Sequence, residues 1–275
     1  MTEPGYRPAM HDSCLVEAGA KAGLDRRATD DRLGIEKGKA QAELARLTER
    51  LSLLHQRLYA EHTRSVLFVL QGLDASGKDG TIRRVFTGLN PQGCDVTSFK
   101  APALNELAHD YLWRIHQCLP ARGDIGIFNR SHYEDVVAAQ VVGAIDDRRR
   151  KRRYGEIVAF EEMLRAEGTW VVKIFLHVGK DEQRARLQAR LDNPEKRWKF
   201  EPADLETRKQ WDEYMRLYEA AITATSTKAA PWYVVPADHK WVSGVAAASI
   251  LLRTLEAMDP KIPPPAADLD GIVIP

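Results

Sequence analysis

Residues Ser65-Val66-Leu67-Phe68-Val69-Leu70 carry no charge and run directly into Gly72-Leu73-Asp74-Ala75-Ser76-Gly77-Lys78-Asp79-Gly80-Thr81. A short apolar run without polar alternation predicts a strand covered on both faces, as in a parallel sheet. The glycine-rich segment after it fits the spacing GxxxxGK, a loop whose backbone N–H groups converge on phosphate oxygens, in the strand–loop–helix setting that the pattern requires. Gly72 and Gly77 permit the tight turn, and the helix beginning near Lys78 aims its positive dipole end at the anion. Ala75, Ser76, Gly80 and Thr81 fall in the same phosphate- and nucleotide-binding stretch, and Lys78 adds a mobile point charge. Asp79 departs from the usual pattern, because Ser or Thr follows the lysine in a standard loop and binds magnesium. Asp74 lies inside the loop, where a carboxylate opposes bound phosphate unless a cation sits between them. That makes it a candidate magnesium ligand or acceptor orienter; its structural alternative is an Asx turn.

The rest of the chain repeats the strand–helix alternation. Apolar runs recur at Asp95–Phe99, Ile125–Phe128, Trp170–Leu176 and Trp232–Val235. Helical patterns separate them at about 80–89, 105–118, 133–142, 155–167 and 204–224, and a last one covers about 242–258. An earlier helix is marked by Leu44, Leu47, Leu51, Leu54 and Leu58 at three- and four-residue steps. Strands alternating with helices predict an α/β fold: a five-stranded parallel sheet with helices on both faces, a three-layer sandwich. Residues 1–34 mix Pro, Gly and charge without periodicity and read as an irregular arm. Residues 35–260 read as the one domain built around the phosphate loop, and 261–275 as a Pro-rich tail.

Composition limits what such a domain does. The chain of 275 residues is 44% hydrophobic, enough for a substantial core, and its net charge of +1 supplies no global field for steering onto nucleic acid. Any polyanion must therefore be met by local clusters of Arg and Lys. Three cysteines at 14, 94 and 118 make neither a disulfide framework nor a CxxC metal site, which fits a reducing cytoplasm. The start lacks a signal-peptide pattern, and no apolar run approaches membrane-spanning length, so a soluble cytoplasmic protein is expected.

Ligands of open parallel sheets sit at the carboxyl ends of strands, so Asn129-Arg130-Ser131-His132-Tyr133-Glu134-Asp135 should face the phosphate loop. Asn129 stands where a magnesium-binding Asp usually ends the strand. Metal charge is then left to Asp74 and to Glu134 or Asp135, and Arg130 suits bidentate phosphate contact. For Asp135 the helix dipole is an equally good explanation, and His132 beside Tyr133 reads as structural. Arg186 and Arg190 lie four apart on one helical face. With the basic, aromatic segment Lys196-Arg197-Trp198-Lys199-Phe200 they predict a lid over about 181–203 that closes on phosphates. Arg83, Arg84, Lys100, Lys196 and Lys199 are placed to line a channel for a long anion. The denser run Arg148–Arg153 reads as an exposed connection.

These motifs resemble the polyphosphate kinase 2 family. The likeness rests on Gly-x-Asp-x-x-Gly-Lys-Asp-Gly in the loop, Asn90-Pro91-Gln92-Gly93, Ser98-Phe99-Lys100-Ala101-Pro102, Trp113-Arg114-Ile115-His116 and Phe128-Asn129-Arg130-Ser131. It continues through Arg190-Leu191-Asp192-Asn193-Pro194, Trp198-Lys199-Phe200 and Pro231–Asp238, so that it spans about 37–260. The resemblance implies a thymidylate-kinase-like P-loop kinase fold and Mg2+-dependent transfer between polyphosphate and nucleotides, with Mn2+ as an alternative metal. It also implies a homodimer or homotetramer. Asn129–Asp135 is similar to the class III version, which phosphorylates AMP to ADP and ADP to ATP; an AMP-only member is the neighbouring alternative, and guanine nucleotides are a further one. The catalytic residues are then Asp74, Lys78, Arg130, Arg186 and Arg190, with Asp79, Asn129 and Glu134 at the nucleotide phosphates and Asp74 and Glu134 on the metal. No membrane and no specific nucleic acid is implied. Two other readings share the loop: an ATP-dependent nucleoside monophosphate kinase, and a non-catalytic polyanion-binding module.

Overall fold

The computed structural model describes residues 8–265 and Ile274, so the expectations for residues 1–7 and for most of the Pro-rich tail lie outside the described residues. Its strands are β1 (Leu15–Val16), β2 (Ser65–Gln71), β3 (Cys94–Ser98), β4 (Ile125–Asn129), β5 (Thr169–His177) and β6 (Trp232–Pro236). They form one sheet in the order β1-β6-β5-β2-β4-β3. β2 to β6 are mutually parallel, whereas β1 pairs antiparallel with β6, Leu15 opposite Tyr233 and Val16 opposite Trp232. The sheet therefore has six strands of mixed direction, not five parallel ones. The extra strand comes from the segment expected to be irregular. Two residues are too few to show a period, and their pairing depends on a strand more than 200 positions away.

β2 occupies the middle because all seven of its residues are buried, and only a central strand covered on both faces has that profile. β3, with Asp95 and Val96 exposed, is an edge. The helices of seven residues or more are α1 (Pro8–Cys14), α2 (Ala40–Glu61), α3 (Lys78–Phe86), α4 (Asp147–Ala166), α5 (Lys180–Asp192), α6 (Ala203–Lys209), α7 (Trp211–Thr225) and α8 (Lys240–Met258). α2, α3 and α8 pack together as one layer, and α4 and α7 form another against β5. The expected helix at 105–118 is two short turns, Leu104–Leu107 and Trp113–His116, and that at 133–142 is a 3-10 turn followed by Ala138–Val141.

Two further expectations change. α8 is long and apolar enough, by composition alone, to cross a bilayer. Yet 72% of that apolar stretch is buried inside the fold, so it is a core helix. The basic run 148–153 lies within α4, capped by the Asp146 side chain accepting from Arg149 N at 2.7 Å. Arg150 and Arg153 are buried, so this run is not a mere exposed connection. Arg153 donates to Asp135 O at 2.7 Å and lies over the Tyr111 ring.

A charged pair sits in the core between α4 and β5. Lys173 Nζ meets Glu161 Oε2 at 2.5 Å and donates to Tyr133 Oη (2.9 Å) and Thr225 O (2.8 Å). His132 Nε2 lies 3.3 Å from Glu161 Oε1, and Tyr133 Oη donates to the same oxygen at 2.9 Å, so one carboxylate holds the turn after β4 from behind. Removing one partner strands the other charge. Lys173→Met is expected to destabilise the protein by about 3–5 kcal/mol, and Lys173→Met with Glu161→Gln by clearly less, both read by urea unfolding.

Candidate active site

The parallel strands β2 to β6 all end on one side of the sheet, and a cleft of about 1070 Å³ opens there. β2 leads into the loop at 72–77 and then α3. Gly72 has φ 150°, and a Cβ on it would sit 2.7 Å from Ser76 Oγ and 3.0 Å from Leu176 O. Gly77, at φ 106°, turns the chain into α3. Ala75 holds φ 61° without being glycine, a conformation that its surroundings must enforce. The loop carbonyls supply that restraint. Lys78 Nζ donates to Gly72 O (2.6 Å) and Leu73 O (3.1 Å) from one side. From the other, Arg186 Nη1 donates to Ala75 O (3.1 Å) and Ser76 O (2.9 Å).

Arg186 is only 8% exposed and uses every donor it has. Nη2 donates to Ala237 O (2.6 Å) and Asp238 O (2.9 Å), and Nε to Glu182 Oε1 (2.7 Å). Five N–H groups meet five acceptors, so in this geometry the guanidinium binds the loop to the end of β6 rather than facing an anion. Arg190, one turn on, is half-buried and points into the cleft, 3.7 Å from Asp204 Oδ2.

The carboxylates divide by environment. Asp74 pairs with Arg130, itself at φ 64° immediately after β4. Burial pushes the Asp74 carboxyl up, but Lys78 and Arg130 together outweigh it and hold the group below its ordinary value. Burial likewise pushes the Lys78 ammonium down, against the pull of Asp74. For Glu134 burial prevails over Arg130 and Lys78, and the carboxyl is raised. Gln71, oriented to satisfy its neighbours, donates to Glu134 Oε1 at 2.9 Å and accepts from Ser131 N at 3.0 Å. Asn129 Nδ2 donates to Asp79 Oδ1 at 2.8 Å. The two departures from the standard pattern thus answer each other, the carboxylate on the loop side and the donor on the strand. Lys199 reaches the same Asp79, 3.9 Å from Oδ2.

Arg83, Arg84, Lys100, Lys196 and Lys199 all line the cleft, as do Gly72, Ala75, Gly77, Gly80, Asn129 and Glu134. Ser76 and Thr81 do not. Both are buried, and neither hydroxyl has a hydrogen-bond partner among the described residues. The sequence reading missed Lys240, Tyr214, Tyr218, Glu182 and Asp204 on the cleft wall. Lys240 opens α8, four residues past the end of β6, so the strand-end rule applied to β4 would have found it. Ten cations and six carboxylates line the cleft, an excess of four positive charges in a chain of net charge +1. Arg83, Arg84, Lys100, Lys196 and Lys240 make no ion pair among the described residues. Burial, with like charges nearby, depresses Arg84 and Lys240. Such a cluster is repulsive until an anion enters it. Arg114, buried, braces this wall by donating to Lys100 O (2.9 Å) and Asp135 Oδ2 (3.1 Å). Asp135 is thereby structural and lies outside the cleft lining.

Replacing Arg186 by Lys removes the planar fork and leaves buried carbonyls unpaired. Arg186→Lys is expected to cost about 3 kcal/mol of stability together with activity, whereas Arg190→Lys lowers activity at unchanged stability. Thermal unfolding beside a turnover assay separates the two.

The sequence model of the family described as Polyphosphate kinase 2 (PPK2) matches residues 34–263. An AMP/ADP-polyphosphate phosphotransferase of Meiothermus ruber is 51% identical over 261 residues, covering 94% of this chain and 98% of that protein. An ADP-polyphosphate phosphotransferase of Rhodopseudomonas palustris is 47% identical over 227 residues, 78% of each. Among solved structures, polyphosphate kinase 2 from Arthrobacter aurescens superposes with a TM-score of 0.92 at 38% identity, over 98% of this chain and 96% of that one. The loop, the strand-end carboxylates and the cationic wall thus sit in a chain that belongs to the polyphosphate kinase 2 family.

Proposed function

We propose that this protein transfers phosphoryl groups from inorganic polyphosphate to AMP, giving ADP, and to ADP, giving ATP, in a reversible reaction. The observation that carries the reading is the set of cations without an ion pair among the described residues, Arg83, Arg84, Lys100, Lys196 and Lys240, in one cleft with the loop at 72–77. A nucleotide's few phosphates do not need so long a cationic wall; a linear polyanion does. The names of the relatives from Meiothermus ruber and Rhodopseudomonas palustris support the same chemistry. We read the fold as a P-loop kinase of the thymidylate-kinase type, with α5 and residues 193–203 as its lid. The chain is taken to work in the cytoplasm as a homodimer or homotetramer, on adenine and secondarily guanine nucleotides.

In the reaction an oxygen of the acceptor's terminal phosphate attacks the end phosphorus of polyphosphate in line. One P–O bond forms, the bond to the next phosphate breaks, and the shortened chain leaves as an oxyanion. The attacking oxygen is already ionised at neutral pH, so no general base is required, and catalysis is positioning plus charge stabilisation. Lys78, Arg130 and Arg190 neutralise the transferring group, and the positive dipole end of α3 faces it. Arg186 keeps the loop in register. Among the described residues no three His, Cys, Asp or Glu side chains form a metal-binding group. Two carboxylates beside a phosphate loop nonetheless suit Mg2+, which takes one or two carboxylates and fills its shell with phosphate oxygens and water. Asp74 and Glu134 would hold it, where it would offset phosphate charge.

Incubated with Mg2+, long-chain polyphosphate and AMP, the protein is expected to produce ADP and then ATP, followed by chromatography. Omitting polyphosphate or chelating the metal should stop both products. ADP without ATP would restrict the enzyme to AMP; transfer from ATP but not from polyphosphate would overturn the proposal. Lys78→Met is expected to lower kcat at least about 100-fold while the far-UV spectrum stays unchanged.

A further inference from the structure

The arm preceding residue 34 lies outside the stretch that matches the family, yet it touches the support of the loop. Thr29 Oγ1 donates to Asp238 Oδ2 at 2.7 Å, and Asp238 N donates back to Thr29 O at 3.0 Å. The other carboxylate oxygen of Asp238 accepts from Gly179 N at 2.7 Å, at the residue that caps the start of α5. A Cβ on Gly179 would lie 2.9 Å from Thr29 Oγ1 and 3.0 Å from Asp238 Oδ2, so the three residues are in close contact. Asp238 O is one of the carbonyls that Arg186 grips. A negative carboxylate at the amino end of α5 is favoured by the helix dipole. Its rotamer, however, is set from one side only by Gly179, and Thr29 supplies the second restraint.

We infer that Thr29 and Asp238 are positioning residues for the phosphate loop. The arm fixes the Asp238 carboxylate, which fixes where α5 begins and hence where the Arg186 guanidinium meets Ala75 and Ser76. The arm is held independently at its other end, where Glu219 accepts from Gly23 N (2.9 Å) and Leu24 N (2.8 Å) and Thr223 Oγ1 accepts from Ala22 N (2.9 Å). That separation permits a control, because the arm can be loosened there without touching Asp238.

The inference rests on the polyphosphate-transfer reading for its kinetic readout, so a second readout without substrate accompanies it. Thr29→Val removes the donor at nearly constant volume, Thr29→Ser keeps it, and Thr223→Val loosens only the far anchor. Thr29→Val is expected to lower kcat about tenfold at unchanged KM for AMP, with Thr29→Ser near the parent value and Thr223→Val unchanged. In the free protein, amide hydrogen exchange of peptides covering 72–78 and 179–186 should quicken about fivefold in Thr29→Val alone. Unaltered exchange and kcat in Thr29→Val would overturn the inference. So would equal losses in Thr29→Ser or in Thr223→Val, which would mark the arm as general docking. If the parent protein shows no polyphosphate activity, the proposed function fails while the exchange comparison still decides this one.

Discussion

The cleft depends on one guanidinium. Arg186 is the point where the loop after β2, the end of β6 and the helix after β5 meet, and all five of its donors are spent on them. Phosphate loops work by presenting backbone N–H groups, so their carbonyls must turn away and find partners of their own. Here those partners are Lys78 within the loop and Arg186 outside it. The arrangement commits the donors of a cation at the cleft wall to backbone carbonyls and to Glu182. It leaves a loop that holds Ala75 at positive φ and stands ready for an anion, the preorganisation on which phosphoryl transfer relies.

Around that frame the electrostatics are local. A net charge of +1 hides a cleft with ten cations and six carboxylates. The carboxylates are not a simple offset. Asp74 stays ionised because Lys78 and Arg130 outweigh its burial, whereas the raised Glu134 has burial prevailing, which distinguishes two acids beside the same loop. The Asp79–Asn129 hydrogen bond shows how a loop with Asp after its lysine keeps contact with the neighbouring strand. His132 is fully buried against Glu161, consistent with a structural rather than a covalent part in the reaction.

Much of this was legible in the sequence because it is local. The five apolar runs became β2 to β6 within a residue or two, and the loop, Arg130 and the basic residues near 83, 100 and 196 all reached the cleft. What escaped depends on distance along the chain. Leu15–Val16 is a strand only because Trp232 and Tyr233 offer an edge. The spacing of Arg186 from Arg190 reports which helical face it occupies, not which carbonyls wait there, so its grip on the loop and on the end of β6 was not legible. Arg150 and Arg153 looked solvated because a charge run carries no sign of its buried partners. Lys240 was recoverable, standing four residues past the end of β6.

The proposed transfer is direct within this cleft, with no phosphorylated protein between donor and acceptor. The most direct measurement is a single turnover with polyphosphate radiolabelled at its terminal phosphates, followed with and without AMP. Direct transfer predicts that label passes into ADP only when AMP is present and that the protein carries none when AMP is withheld. Label held on the protein and then chased into ADP, or no label in ADP at all, would contradict it.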